Sequence, residues 1–197
     1  MLCIVPPFGY GMVYHSIFVT ITQIVMQLTE NFTLKELTDS PTADKLGIKN
    51  DPDEKQLAAL KLLAEKVLQP LREGIDKPIK INSGLRGTAL NKAIGGSSTS
   101  QHCKGEAADL SLKSVKNGNA LLFHYIRENL VFDQMIWEFG TKENPDWVHV
   151  SYSAKGNRKE ILEAYKHHGK TAYEIPLRLV GSEMCISDRL LKCKVLC

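Results

Sequence analysis

The chain has 197 residues, of which 43% are apolar and 24% are charged, with a formal net charge of +3. This length and composition suit one globular domain with a single hydrophobic core, and they exclude an acidic disordered segment. The mild positive charge is accompanied by no basic helix and no RNA-type motif, so we expect no nucleic-acid partner.

The number and spacing of the cysteines restrict the kind of metal site that the chain can form. There are five, at Cys3, Cys103, Cys185, Cys193 and Cys197. An odd count without paired spacing does not fit a disulfide framework, and the lack of any CxxC pair excludes a cysteine-rich zinc ribbon. A metal site in this chain must therefore be built from histidine and carboxylate side chains.

The two ends differ in character from the middle of the chain. Residues 1–28 are apolar-rich but contain no Lys or Arg, and prolines and polar residues interrupt the run. A secretory signal needs a positive start and a small-residue cleavage site, and both are poor here, so we predict no signal peptide. The interruptions of the apolar run also argue against a stable membrane span. We expect an N-terminal extension at 1–30, a monomeric domain at 31–173, and a C-terminal tail without packing at 174–197.

A long packing helix is predicted in the first half of the domain. From Asp53 onwards, apolar residues recur at helical spacing, at Leu57, Leu60, Leu63, Val67, Leu68 and Leu71. Asp51 or Asp53 can cap its start, and Pro70 should bend or end it. A short β-type run at 78–86 and a small helix at 88–94 follow.

The second half alternates strands with one helix. The run EAADLSL at 106–112 predicts a strand, and a second packing helix should begin near Asn117 or Asn119. Two further β-rich runs lie at 132–140 and 146–153. This order predicts an α+β fold in which a small, mainly antiparallel sheet packs against helices.

Two histidines lie near the predicted C-terminal boundary of the domain. His167 and His168 should form a pair at the end of its last helix rather than bind a metal.

One short stretch, SQHCKGEAADL, has the residue types of a metal site. His102 and Asp109 are seven positions apart, with Gly105 and two alanines among the residues between them, so a tight loop entering a strand can bring the imidazole and the carboxylate together. A further histidine, His149, lies between two valines in a β-type run. Two histidines and one carboxylate with an open fourth position form the ligand set of a catalytic zinc site.

The same residues carry a family resemblance. The pattern S-x-H-x-x-G-x-A-x-D is matched by Ser100, His102, Gly105, Ala107 and Asp109, and the later W-V-H-V by Trp147, Val148, His149 and Val150. Over roughly residues 31–165 the chain resembles the M15 family of zinc D-Ala-D-Ala carboxypeptidases and related L,D-endopeptidases, which includes phage endolysins.

The resemblance implies an M15 or Hedgehog-like zinc peptidase fold with one zinc ion. His102, Asp109 and His149 would hold the metal, and a metal-activated water would attack a peptide bond in peptidoglycan stem peptides. Such a protein acts on the cell wall, as a phage-type lysis protein or as a periplasmic or secreted enzyme.

Two carboxylates compete for the role of general base. Asp146 lies three residues before His149, which matches the position of the acidic base in several relatives. Glu138 lies among Ile136, Trp137 and Phe139, where a buried acid is costly unless it is paired or functional. Both carboxylates are candidates for the base.

Three further residues are candidates for contact with substrate. Arg86 follows a Ser-Gly turn, and in the family an Arg in a similar position grips the substrate carboxylate or the developing oxyanion. Ser100 is a candidate for orienting the site and Trp147 for lining a cleft, whereas Cys103 is expected to be a bystander.

A non-catalytic alternative stays open. The same scaffold with the same three ligands can serve as a zinc-containing module that binds the cell wall. The general base separates the two hypotheses, because a binding module does not need a carboxylate within reach of the attacking water. The bond that would be cut, D-Ala-D-Ala, L-Ala-D-Glu or a cross-bridge, is also left open.

Overall fold

A computed structural model describes residues 26–176 of the chain. Most of the predicted N-terminal extension and of the predicted tail therefore lies outside the described residues. The described helices are α1 Leu34–Thr38, α2 Pro41–Leu46, α3 Glu54–Leu63, α4 Gln69–Ile75, α5 Thr88–Ala93 and α6 Gly118–Asn129. The described strands are β1 Lys80–Ser83, β2 Ala107–Ser111, β3 Gln134–Glu138, β4 Trp147–Ser151, β5 Glu160–His167 and β6 Lys170–Glu174.

The six strands form one sheet in the order β1-β2-β4-β3-β5-β6. Every neighbouring pair is antiparallel except β3 with β5, which is parallel. The prediction of an α+β fold with a mainly antiparallel sheet is confirmed.

The two faces of the sheet have different compositions because successive side chains in a strand point to opposite sides. One face is apolar and packs in the hydrophobic core with helices α3, α4 and α6. Its buried residues are Ala108, Leu110, Met135, Trp137, Val148, Val150 and Ile161. The opposite face carries Asp109, Glu138 and His149, which alternate with those core residues. The strand pattern thus separates the polar face from the core.

The long helix predicted from Asp53 is present but is interrupted by a π-helical turn at Ala64–Leu68. Asp53 and Gln56 form a capping box at its start. Pro70 lies in the first turn of α4, directly after the π turn. The helical segment therefore continues past the proline to Ile75 and does not end there. None of the helices in the described part of the chain has the length and apolarity that a membrane crossing requires.

The prediction of a helix end at His167 and His168 is wrong. This region is the β5–β6 hairpin, in which His168 and Gly169 have φ values of 47° and 77°. Two central residues with positive φ are typical of the tight turn that joins antiparallel strands. The strand was hard to recognise because β5 has only two buried residues, Ile161 and Ala164, and gains its structure from parallel pairing with β3.

Candidate metal centre

A 3₁₀ turn at Gln101–Lys104 carries the first candidate ligand, His102. Gly105 ends this turn with a φ of 73°, and a side chain there would approach the carbonyl oxygen of Gln56 to 2.7 Å. The side-chain amide of Gln56 in turn donates to the carbonyl of Cys103 at 2.9 Å. The turn is therefore docked closely against α3, which requires a glycine at position 105.

The orientation of the His102 ring is set by a backbone carbonyl. Its Nδ1 lies 2.7 Å from the carbonyl oxygen of Gly84, and the carbonyl of His102 accepts the N–H of Arg86 at 3.1 Å. Because a carbonyl oxygen can only accept, the neutral ring carries its proton on Nδ1 and keeps a lone pair on Nε2. That lone pair faces the two other candidate ligands.

Three donor atoms meet at one point on the polar face of the sheet. His102 Nε2 lies 3.2 Å from His149 Nδ1 and 3.2 Å from Asp109 Oδ1. The third side of this triangle, from His149 Nδ1 to Asp109 Oδ1, measures 2.9 Å. Asp109 and His149 are direct partners across β2 and β4, which explains how residues distant in sequence come together.

The donor set fits a zinc ion. Ligand atoms bound to tetrahedral zinc at about 2.0–2.1 Å are separated by about 3.3 Å, close to the three distances between the donors here. Among the described residues, His102, Asp109 and His149 are the group whose geometry suits a metal ion. Two imidazoles and one carboxylate leave a fourth position for water or substrate, as in catalytic zinc sites.

Asp109 is held as an anion inside this cluster. Burial opposes its ionisation, but the charges and hydrogen bonds of His102 and His149 hold its pKa well below the usual range. Its second oxygen, Oδ2, accepts a hydrogen bond of 2.7 Å from Arg86 Nη2, while Arg86 Nε donates to Ser83. Arg86 thus fixes the carboxylate so that Oδ1 points at the histidines, a role typical of outer-shell partners of metal ligands.

Glu138 lies on the same face of the sheet. It is paired on the neighbouring strand β4 with Trp147, which lies two residues before His149. Only 8% of the surface of Glu138 is exposed. Burial raises the pKa of Glu138 to about 7. The negative charge of Asp109 also raises this pKa, whereas the positive charges of His149, Arg86 and Lys166 lower it. A carboxyl group with such a pKa is suited to accept a proton near neutral pH.

The other base candidate, Asp146, is exposed and directly precedes β4. Its backbone N–H donates to the carbonyl of Glu138 at 2.9 Å, and its own carbonyl accepts from the amide of Asn119. The structure therefore brings Glu138 to the face of the three donors and places Asp146 at the solvent-exposed entry to the strand.

A cleft of about 330 Å³ opens beside Asp109. Its lining includes Ser40, Asn82, Arg86, Leu90, Asp109 and Trp147. Trp147 packs edge-on against Phe139, with the ring centres 5.5 Å apart. The predicted substrate contacts at Arg86 and Trp147 thus flank one cleft. Ser100 instead begins the 3₁₀ turn, where its carbonyl accepts the N–H of Cys103.

Comparison with known proteins assigns the chain to a family. The family model described as peptidase M15 matches residues 30–151, which include all three donor residues. The chain belongs to the peptidase M15 family. A similar protein is the zinc D-Ala-D-Ala carboxypeptidase of Streptomyces albus G, which is 46% identical over 48 residues. That match covers 24% of this chain and 19% of the Streptomyces protein.

Sequence reasoning missed a network of hydrogen bonds around the buried Asp133, next to the turn that carries His102. Gln101, beside the ligand His102, donates to the buried Asp133 at 2.8 Å, and Asp133 also accepts two side-chain hydrogen bonds from Arg158. The hydrogen bonds from Arg158 lower the pKa of Asp133 to about 2. These partners lie 25 and 32 residues apart in sequence, so no local pattern could have connected them.

Burial of the Glu138 carboxyl group should make the stability of the protein depend on pH. Because Glu138 has a raised pKa in the folded protein, the free energy of unfolding should fall as pH rises from about 4.5 to about 7, and the cost should persist above that. Glu138→Gln does not titrate, so in the zinc-free protein it should be more stable than wild type at pH 8, on the order of 1 to 3 kcal/mol.

Denaturant unfolding of both chelator-treated proteins at pH 4 and pH 8 measures this effect. The pH 4 measurement is the internal control, because Glu138 is then protonated in both states and the two proteins should differ little. A difference between the variants that does not grow with pH would contradict the buried, raised-pKa state of Glu138.

Proposed function

We propose that this M15 protein hydrolyses peptide bonds in peptidoglycan stem peptides in a zinc-dependent reaction, as a carboxypeptidase or an endopeptidase. We further propose that residues 31–173 form the catalytic domain, with an M15 or Hedgehog-like arrangement. The observation that carries the proposal is the convergence of His102 Nε2, Asp109 Oδ1 and His149 Nδ1 on the sheet face that also carries Glu138.

His102, Asp109 and His149 would hold the ion. When bound, zinc supplies Lewis acidity, which lowers the pKa of water and polarises a carbonyl oxygen. The chain's own contribution is to fix the ligands before the metal arrives. Gly84 orients His102 through its Nδ1, and Arg86 orients Asp109 through Oδ2. Such outer-shell contacts strengthen metal binding.

Glu138 is the general base in this proposal. It takes a proton from the attacking water as the water oxygen bonds to the carbonyl carbon of the scissile peptide. It then gives that proton to the amide nitrogen as the carbon–nitrogen bond breaks, releasing an amine and a carboxylic acid, which loses its remaining proton to the amine or to solvent. A pKa of about 7 suits both transfers, because the group can accept and return a proton at similar cost.

The cleft beside Asp109 would receive the peptide. Trp147 offers an apolar ring at its wall, and Arg86 offers a fixed positive charge near the substrate carboxylate or the oxyanion. Ser100 would act more remotely, by shaping the turn that carries His102. The Streptomyces relative, named as a D-Ala-D-Ala carboxypeptidase, supports this class of substrate.

Digestion of purified peptidoglycan tests the proposal. The zinc-loaded protein should change the muropeptide profile measured by mass spectrometry, and chelation should stop the reaction until zinc is restored. Loss of a single terminal D-alanine would indicate a carboxypeptidase. New internal peptide ends would indicate an endopeptidase and identify the bond.

The outcome that contradicts catalysis is equally specific. If fully zinc-loaded protein leaves every muropeptide unchanged but sediments with insoluble peptidoglycan, the chain is a zinc-containing binding module. Bovine serum albumin in the same sedimentation assay controls for non-specific trapping.

A further inference from the structure

The β5–β6 hairpin lies beyond residues 30–151, the part of the chain that the family model matches. It nevertheless extends the polar face of the sheet. Glu138 on β3 is paired with Ala164 on β5, and Ala164 is paired with Tyr173 on β6. Directly paired residues share a face, so Tyr173 and Glu138 point to the same side.

The intervening residue leaves room for the two side chains to approach each other. Neighbouring strands are about 4.8 Å apart, so Tyr173 and Glu138 are separated by about 10 Å at the backbone. Ala164 between them is buried, and its side chain is a single methyl group. A tyrosine ring can therefore extend over Ala164 towards the carboxyl group.

The electrostatics agree with this placement. Burial raises the pKa of the Tyr173 hydroxyl, and the charges of Glu138 and Asp109 raise it further while Arg86 opposes them. The hydroxyl thus feels the same groups that form the metal centre. Its residue is still 40% exposed, so a bound peptide can reach it.

We propose that Tyr173 is a substrate-contacting residue, donating a hydrogen bond to a peptide carbonyl on the Glu138 side of the metal centre. This inference rests on the proposed function. The hydroxyl is protonated at physiological pH, since its ordinary pKa is already near 10 and burial raises that pKa further, so it can donate a hydrogen bond. Tyr173 and the cleft around Arg86 and Trp147 would then contact different parts of the same peptide.

Tyr165 provides a matched control on the same hairpin. It is paired with Ala172 and lies one residue from Ala164, so its side chain points to the opposite face of the sheet. Its exposure, 37%, is close to that of Tyr173. Tyr173→Phe and Tyr165→Phe therefore remove the same hydroxyl from similar positions, of which only one faces Glu138.

Two measurements on a soluble disaccharide pentapeptide test the inference. In otherwise wild-type protein, Tyr173→Phe should lower kcat/KM by about 2- to 12-fold, the range expected for one neutral hydrogen bond, with unchanged zinc content and thermal midpoint. In the Glu138→Gln background, which should bind the peptide and cut it at least about 100-fold more slowly, Tyr173→Phe should raise the dissociation constant of the peptide by about 5-fold. Tyr165→Phe should change neither quantity.

The outcomes separate this inference from the proposed function. If the wild-type protein hydrolyses the peptide and the Tyr173→Phe and Tyr165→Phe variants have equal rates and affinities, the role of Tyr173 is wrong. The proposed function is unaffected by that result. Failure of the wild-type protein both to bind and to cut the peptide would overturn the proposed function and the inference with it.

Discussion

Asp109→Asn should lower zinc affinity by more than about 100-fold and abolish peptide hydrolysis at the same time. The neutral amide keeps the size of the side chain but removes the anion that lies between His102, His149 and Arg86. Loss of an outer-shell partner of a zinc ligand already costs about 10- to 100-fold in affinity, so loss of a direct ligand should cost more. Competition with a chromophoric chelator measures the affinity.

Asp39→Asn is the matched control for this measurement. Asp39 lies along the same cleft and carries the same carboxyl group, but it is paired with Lys35 and is not among the three converging donors. Its substitution should leave zinc affinity unchanged. Wild-type zinc affinity in Asp109→Asn would show that the three donors are not the metal site, whatever the activity of the variant.

Glu138→Gln should retain zinc and lose about 10²- to 10⁴-fold in kcat, the usual contribution of a general base. The structure supports Glu138 for this role because it is buried on the face of the three donors, where its pKa is raised to about 7. Asp146→Asn should lose less than about 10-fold, because the carboxyl group of Asp146 lies in an exposed position before β4. Muropeptide digestion with zinc content measured in parallel compares the two variants.

The pH profile offers an independent reading of the same group. A general base acts in its deprotonated form, so kcat/KM should rise with pH up to the pKa of Glu138 and level off above it. Bound zinc adds positive charge, which lowers that pKa, so the rise should end at or below about pH 7. The residual activity of Glu138→Gln should lack this dependence.

The reverse result would reassign the base. If Asp146→Asn is inactive with full zinc content while Glu138→Gln keeps its activity, Asp146 takes the proton. In that case the raised pKa of Glu138 would be a consequence of burial alone.

The strongest predictions from sequence concerned short patterns with a local cause. The run from His102 to Asp109 and the later His149 identified the candidate ligands, because a zinc site restricts both residue type and spacing. The helix from Asp53 was recognised from its period, although its π turn at Ala64–Leu68 has no such signature. The β5–β6 hairpin was mistaken for a helix end, since most of its residues are exposed and carry no strong alternation.

The residue types of the candidate metal centre and the α+β fold class could therefore be predicted from the sequence alone. Only the tertiary structure decided that Glu138 and Tyr173 lie on the sheet face of Asp109 and His149, and how Arg86 and Gly84 contact the candidate ligands. The physical reason is that these relations depend on strand register. Sheet pairing joins β2, β4, β3, β5 and β6 in an order that differs from the chain order, and local patterns cannot specify that order.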